Sequence, residues 1–161
     1  MKPGEGTATN AGRYFVEIFD WEGAFGLQEG TANHVGWIDA EYGPRHIVTF
    51  TAARDNPRGG DPESCVIYFP GGGGCSVDPE EPAIHSWGQS GSGYGAEVFG
   101  GSDCAEAGIT TEAGNTVSVL TVRGYGYAEW PADWGEPQAV DFYNADGEPL
   151  ATLEFPLESN R

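Results

Sequence analysis

The sequence predicts an all-β fold, a two-sheet antiparallel β-sandwich of jelly-roll type, with a β-barrel as the alternative. Three observations carry the prediction. Short runs alternate apolar and polar residues with period two, the period of a half-buried strand. Gly (26 residues) and Pro (11) punctuate those runs, and almost nothing repeats with helical spacing. Trp (5), Tyr (7) and Phe (8) supply bulk that disordered chains lack.

The elements follow in order. Residues 1–12 are small and polar and read as a flexible N-terminal arm, leaving 13–161 as a single β-sandwich domain. Arg13–Phe19 alternates, with Tyr14, Val16 and Ile18 on one face. Asn33–Asp39 places His34, Gly36 and Ile38 on one face and Val35 and Trp37 on the other. His46–Ala52 sets Val48 and Phe50 against Thr49 and Thr51. Cys65–Phe69 is a continuous apolar run, as in a strand buried on both faces. Gly95–Phe99 is a weaker strand, and Thr116–Val122 carries the strongest β signal. Ala139–Tyr143 and Leu150–Phe155 form a hairpin across Asn144–Pro149. There Gly147 tolerates positive φ, Asp146 accepts local hydrogen bonds, and Pro149 suits a strand start or an edge. Asp78-Pro79-Glu80-Glu81 reads as the start of a short helix reaching Trp87, which Pro82 limits. Long loops are expected at 20–32, 53–64, 70–94 and 123–137. Gly93–Glu97 and Gly124–Glu129 echo one another, and glycine content alone accounts for the echo.

The chain has 25 acids against 7 bases, a formal charge of -18. From Gly59 to Val122 there are nine acids and no Lys or Arg. Such a stretch has to be solvated, paired with metal or set against a basic partner, because unpaired buried carboxylates cost too much. The charge repels phosphate backbones, so nucleic acid is not an expected partner. No run approaches the length of a membrane helix, so neither is a membrane. The N-terminal stretch has no apolar signal-like core. Of the three cysteines, Cys75 and Cys104 sit in Gly-rich loops and form the expected disulfide, leaving Cys65 a thiol. Three reduced thiols are the alternative.

Candidate chemistry is sparse. Val66–Phe69 runs through Pro70 into four glycines, Gly71–Gly74, and then Cys75. Consecutive glycines let backbone N–H groups converge on an anion or oxyanion. Over Val66–Cys75 the segment resembles the oxyanion segment of α/β-hydrolases, pectin-acetylesterase-like enzymes in particular, and the resemblance implies a small hydrolase. The rest departs from that family. Gly88-Gln89-Ser90-Gly91-Ser92 lacks the last glycine of the nucleophile elbow, and no α/β alternation is present. His34, His46 and His85 show no ligand spacing, and no metal site is expected from them. No cofactor is expected, although the oxygens of Asn144, Asp146 and Glu148 are compatible with a divalent cation such as calcium.

The positive hint of binding is the segment 124–135. It gathers Tyr125, Tyr127, Trp130 and Trp134 beside Glu129 and Asp133. Aromatic faces beside carboxylates suit a sugar or a protein surface. These four are the candidate ligand- or partner-binding residues, and their folding back over an end of the sandwich is the structural alternative. The function expected is non-enzymatic: a structural or interaction protein of a larger assembly, such as a virion decoration, tail or surface component. Its expected partners are other subunits, including a basic one, at a virion or extracellular surface. The alternatives are a carbohydrate- or ligand-binding β-sandwich module and a hydrolase using Gly71–Gly74.

Overall fold

A computed structural model describes residues 33–40, 43–52, 63–69, 72–75, 80–90 and 93–157. The expected arm at 1–12 and the expected strand Arg13–Phe19 lie outside them. Among the described residues, eleven antiparallel strands form two sheets. β1 (Asn33–Ala40), β2 (Gly43–Ala52), β3 (Glu63–Phe69) and β4 (Gly73–Cys75) make a four-stranded meander in chain order. The second sheet holds β5 (Ala83–Ser90), β6 (Gly93–Phe99), β7 (Glu106–Thr111), β8 (Thr116–Val122), β9 (Tyr125–Pro131), β10 (Pro137–Tyr143) and β11 (Pro149–Glu154). Its order is β11-β10-β7-β8-β9-β6-β5. The run β10-β7-β8-β9 is a Greek key: the fourth strand in sequence returns to lie beside the first.

The seven-stranded sheet curls into a half-barrel around one core. Trp87, Val98, Ile109, Val119, Trp130, Val140 and Phe142 line its inner face. Phe155, just past the β11 edge, meets Trp87 on the β5 edge, ring centroids 6.5 Å apart and nearly perpendicular. The four-stranded sheet packs on the outer face of the same half-barrel. Val35, Ile38, Ile47, Val66 and Tyr68 meet Val122 and Tyr127 there. The second sheet therefore has apolar residues on both faces around β8 and β9, which a two-layer alternation of inward and outward residues does not anticipate.

Among the described residues, four register shifts interrupt the ladders, and the two at Val35 and His85 redirect the side chains that matter here. Val35 is an extra residue between the pairs His34↔Val48 and Gly36↔Ile47. His34 therefore shares a face with Trp37, not with Gly36 and Ile38, and Val35 turns inward with Ile38. His85 is likewise extra between Ile84↔Val98 and Ser86↔Glu97. The segment 83–90 is thus a strand, an edge one among the described residues, and not the end of a helix. Pro82 sits just before its start, where a missing N–H removes no ladder bond, and the Trp87↔Ala96 pair faces the half-barrel core.

The hairpin at 144–149 forms as its residues dictate. Asn144 Oδ1 accepts from the amides of Asp146 and Glu148, at 2.9 Å each, and Gly147 takes a φ of 80°. The β8–β9 turn is Arg123-Gly124, both with positive φ (49° and 87°). That is the geometry of a two-residue hairpin turn, occupied here by a residue that seldom adopts it. The connection from β9 to β10 runs through a single 3-10 turn, Ala132–Trp134. It is tied to the β7–β8 turn by Glu112 N–H donating to Glu136 O and Ala113 N–H to Trp134 O.

The cysteine pairing differs from expectation. Cys65 and Cys75 are bonded, with their Cα atoms 4.0 Å apart, and Cys104 is a buried thiol. Cys65 and Cys75 face each other on β3 and β4. Tyr68 N–H donates to Gly72 O, which makes Cys65/Cys75 a non-hydrogen-bonded pair, the closer type. The strand holding Cys75 is visible only once Gly73 is placed. A β-carbon at Gly73 would lie 2.0 Å from Val66 O, so only glycine lets β4 approach β3. Protein denatured without reductant should show one reactive thiol per chain, mapped to Cys104 by mass spectrometry, and three after reduction. Labelling of Cys65 in the unreduced protein would contradict the pairing.

Candidate functional site

The four residues expected to bind a ligand do not form an exposed platform. Residues 125–131 are the strand β9, paired with β6 on one side and β8 on the other. Tyr127 (2 % exposed) and Trp130 (3 %) are buried on opposite faces of it. Trp130 points into the half-barrel, its Nε1–H donating to Gly135 O at 2.8 Å and its face stacked on Tyr94 at 5.9 Å. Trp134 packs against the same core, and Tyr125 against the core between the sheets. The echo of 93–97 and 124–129 acquires a geometry, since the two segments are antiparallel neighbours with Tyr94 opposite Trp130.

What the fold gathers is a polar cluster in the seam between the sheets. Tyr68, fully buried on β3, reaches across to β6 and β5. Its hydroxyl donates to Val98 O at 2.9 Å and lies 2.9 Å from His85 Nδ1. The hydroxyl has one proton, so Nδ1–H of His85 is the donor in the second bond. Burial pushes the Tyr68 hydroxyl well above its ordinary pKa, with Glu97 and Tyr125 adding to the shift. Burial also lowers His85 from 6.5 to about 4. The imidazole is therefore neutral at pH 7. It lies parallel to Phe99 at 6.3 Å and tilted to Tyr125 at 6.5 Å.

Beside it lies a buried carboxylate. Glu97 is 0 % exposed and accepts from the Ser86 hydroxyl, its cross-strand neighbour. The Gly-rich segment comes to the same place. A β-carbon on Gly72 would lie 3.0 Å from Ser86 Oγ and 3.8 Å from Glu97 Oε1. Arg45 closes the cluster on the β9 side. Its guanidinium stands 4.8 Å over the Tyr127 ring and donates to the Tyr127 hydroxyl at 3.1 Å. Burial pushes that hydroxyl up to about 12, against a lowering by Arg45.

A second pair lies on the opposite face of the four-stranded sheet. His34 Nε2 is 2.9 Å from His46 Nδ1, and Trp37 flanks both rings. Burial lowers the pKa of both imidazoles. Among the described residues, no group of three or more His, Cys, Asp or Glu stands ready to hold a metal ion.

Sequence reasoning missed Ser86, Glu97, His85 and Tyr68 as a group. One signal was present: Glu97 is a single acid inside Gly95–Phe99, an otherwise apolar strand. The bulge at His85, which turns it toward Tyr68, leaves no mark in the sequence.

Chemically, the seam cluster is a set of hydrogen bonds, between Tyr68 and both Val98 and His85 and between Ser86 and Glu97, at the place where the two sheets meet. Ser86 donates to a carboxylate, and His85 bonds to Tyr68. Comparison with family models, with curated proteins and with solved structures finds no match to this chain.

Two outcomes test this account. Trp130→Ala should lower unfolding free energy by about 3–5 kcal/mol in urea denaturation, the cost of emptying a core position. A change within 0.5 kcal/mol would place the ring at the surface. For His85, the folded pKa of about 4 lies below the unfolded 6.5. Between those values the unfolded chain binds a proton that the native state refuses, so stability rises with pH across that window. His85→Gln should flatten that rise, by up to roughly 3 kcal/mol between pH 4 and 7. Equal slopes in both proteins would refute the burial of His85.

Proposed function

We propose that the protein is a non-enzymatic interaction component of a larger assembly, docking through its acidic surface and the edge strand β11 onto a basic partner subunit. One observation carries the reading. β11 is an edge of the seven-stranded sheet, and among the described residues its only strand partner is β10. Leu150 on that edge is 40 % exposed and Leu157 just beyond it 95 %, with Asp146, Glu148 and Glu154 exposed around them. An open edge with apolar side chains offers backbone pairing to another chain. Eleven described Asp and Glu side chains are exposed, against Arg123 as the one exposed cation among the described residues. A partner segment that is extended and basic matches both features.

The test uses an alternating Lys-Val peptide and its Glu-Val counterpart as probes, read by fluorescence anisotropy. The basic peptide should bind, weaken as salt rises, and weaken further in Leu150→Asp and Leu157→Asp. Equal affinity for the two peptides, or binding indifferent to both substitutions, would overturn the proposal.

The hydrolase reading retains one supporting observation, the approach of Gly72 to the Ser86–Glu97 pair. Hydrolysis of short-chain nitrophenyl esters, abolished by Ser86→Ala in a folded protein, would establish it in place of the interaction role. The sugar-binding reading loses its main support, because Tyr127 and Trp130 are interior residues.

A further inference from the structure

Glu129 on β9 is partly exposed, yet its Oε1 is shut off from solvent and has no hydrogen-bond partner among the described residues. A covered carboxylate oxygen is costly without a donor. Glu129 lines a recess of about 120 Å³. Ala40 at the end of β1, Ser118 and Leu120 on β8, and Tyr127 and Ala128 on β9 complete its walls. Period two sets Ser118, Leu120, Tyr127 and Glu129 on the outer face of the half-barrel, with Leu120 opposite Tyr127. Val117, Val119 and Trp130 turn the other way, into the core. Arg45 does not supply the donor, because its guanidinium lies over the Tyr127 ring and bonds to the Tyr127 hydroxyl. Besides burial, the charges of Arg45 and Glu129 act on that hydroxyl in opposite senses, so both stand near it.

We propose that this recess binds a primary alkylammonium group, its head donating to Glu129 Oε1 and its methylene stem lying between Leu120 and Tyr127. The acceptor belongs to a carboxylate, so a cationic N–H donor makes the strongest bond to it. The ligand has to be slender, because the oxygen is covered. Leu120 is 48 % exposed, so its side chain is free to swing aside for the head. Leu120, Ala40 and the Tyr127 ring then offer the stem an apolar wall. The Ser118 hydroxyl is a further acceptor at the rim. The space is well above the roughly 10–15 Å³ that one water needs, enough for a short alkyl chain. Arg45 opposes a cation here, and the new bond to Oε1 together with the chain's charge of -18 outweighs it. Three strands separate β9 from β11, so the site is distinct from the docking edge and does not rest on it. The same head arrives on a free small amine or on a lysine of a partner protein.

The test is heteronuclear NMR titration of the isotope-labelled full chain at about 0.15 M salt, where exposed charges more than about 8 Å apart are screened. The probes are n-butylammonium, n-butanol and Nα-acetyl-lysine methylamide. Butylammonium should give saturable shifts centred on the amides of Ser118, Leu120 and Glu129. Butanol has the same stem without the charge and should bind about tenfold more weakly or worse. Glu129→Gln should weaken butylammonium by about tenfold or more. Asp103→Asn, which alters an exposed acid in a turn, should leave it unchanged. A lysine derivative that binds about tenfold tighter than butylammonium identifies a partner's lysine as the source, and no gain identifies a free amine. Butanol binding as well as butylammonium would overturn the proposal. So would unchanged affinity in Glu129→Gln, an equal loss in Asp103→Asn, or shifts scattered over the acidic surface. If Glu129→Gln fails to fold, the wild-type shift map and the butanol comparison decide.

Discussion

The structure turns on Tyr68. Its ring belongs to the core between the sheets, and its hydroxyl crosses the seam to the backbone of β6 and the imidazole of β5. A hydroxyl this deep is costly unless it is bonded, so its partners must be in place whenever the sheets are packed. That requirement fixes the sliding position of the four-stranded sheet on the half-barrel, which apolar contact alone leaves loose. Glu97 imposes a similar demand one pair further on. Its carboxylate is sealed in the seam and needs Ser86 on the neighbouring strand. Networks of this kind are stable only when complete, so they favour one arrangement of the sheets over near alternatives.

The bulges at Val35 and His85 have consequences far beyond their size. One extra residue in a strand changes which side chains share a face from that point on. At Val35 it joins His34 to Trp37 and His46. At His85 it brings an imidazole to Tyr68 while Ser86 stays opposite Glu97. Both clusters of interest therefore owe their existence to local breaks in a regular ladder. The disulfide adds a third constraint, holding the short glycine strand β4 to β3 next to the same seam.

Much of the fold could be read from the residues. Thr116–Val122, Cys65–Phe69 and the hairpin across Asn144–Pro149 stand where their alternation and turn chemistry put them. The strands at 83–90, 106–111 and 125–131 were missed for identifiable reasons. The first is preceded by prolines and acids that imitate a helix start. The second, Glu106–Thr111, contains Gly108 and a single large aliphatic residue, Ile109. The third follows a turn made by Arg123, a residue without the usual preference for positive φ. The candidate site was barely legible, because Tyr68, His85, Ser86 and Glu97 come from three strands and meet only through sheet packing.

By itself, the sequence determined the all-β class, the antiparallel hairpins and the acidic surface. These follow from period-two alternation, turn residues and charge, all of them properties of neighbours along the chain. Tertiary structure alone decided that Tyr127 and Trp130 are interior, that Cys65 pairs with Cys75, and that a carboxylate lies sealed between two sheets. Each of those depends on strand register and on which face of a sheet meets another layer. A single bulge changes both without altering the composition or the hydrophobic pattern that surrounds it.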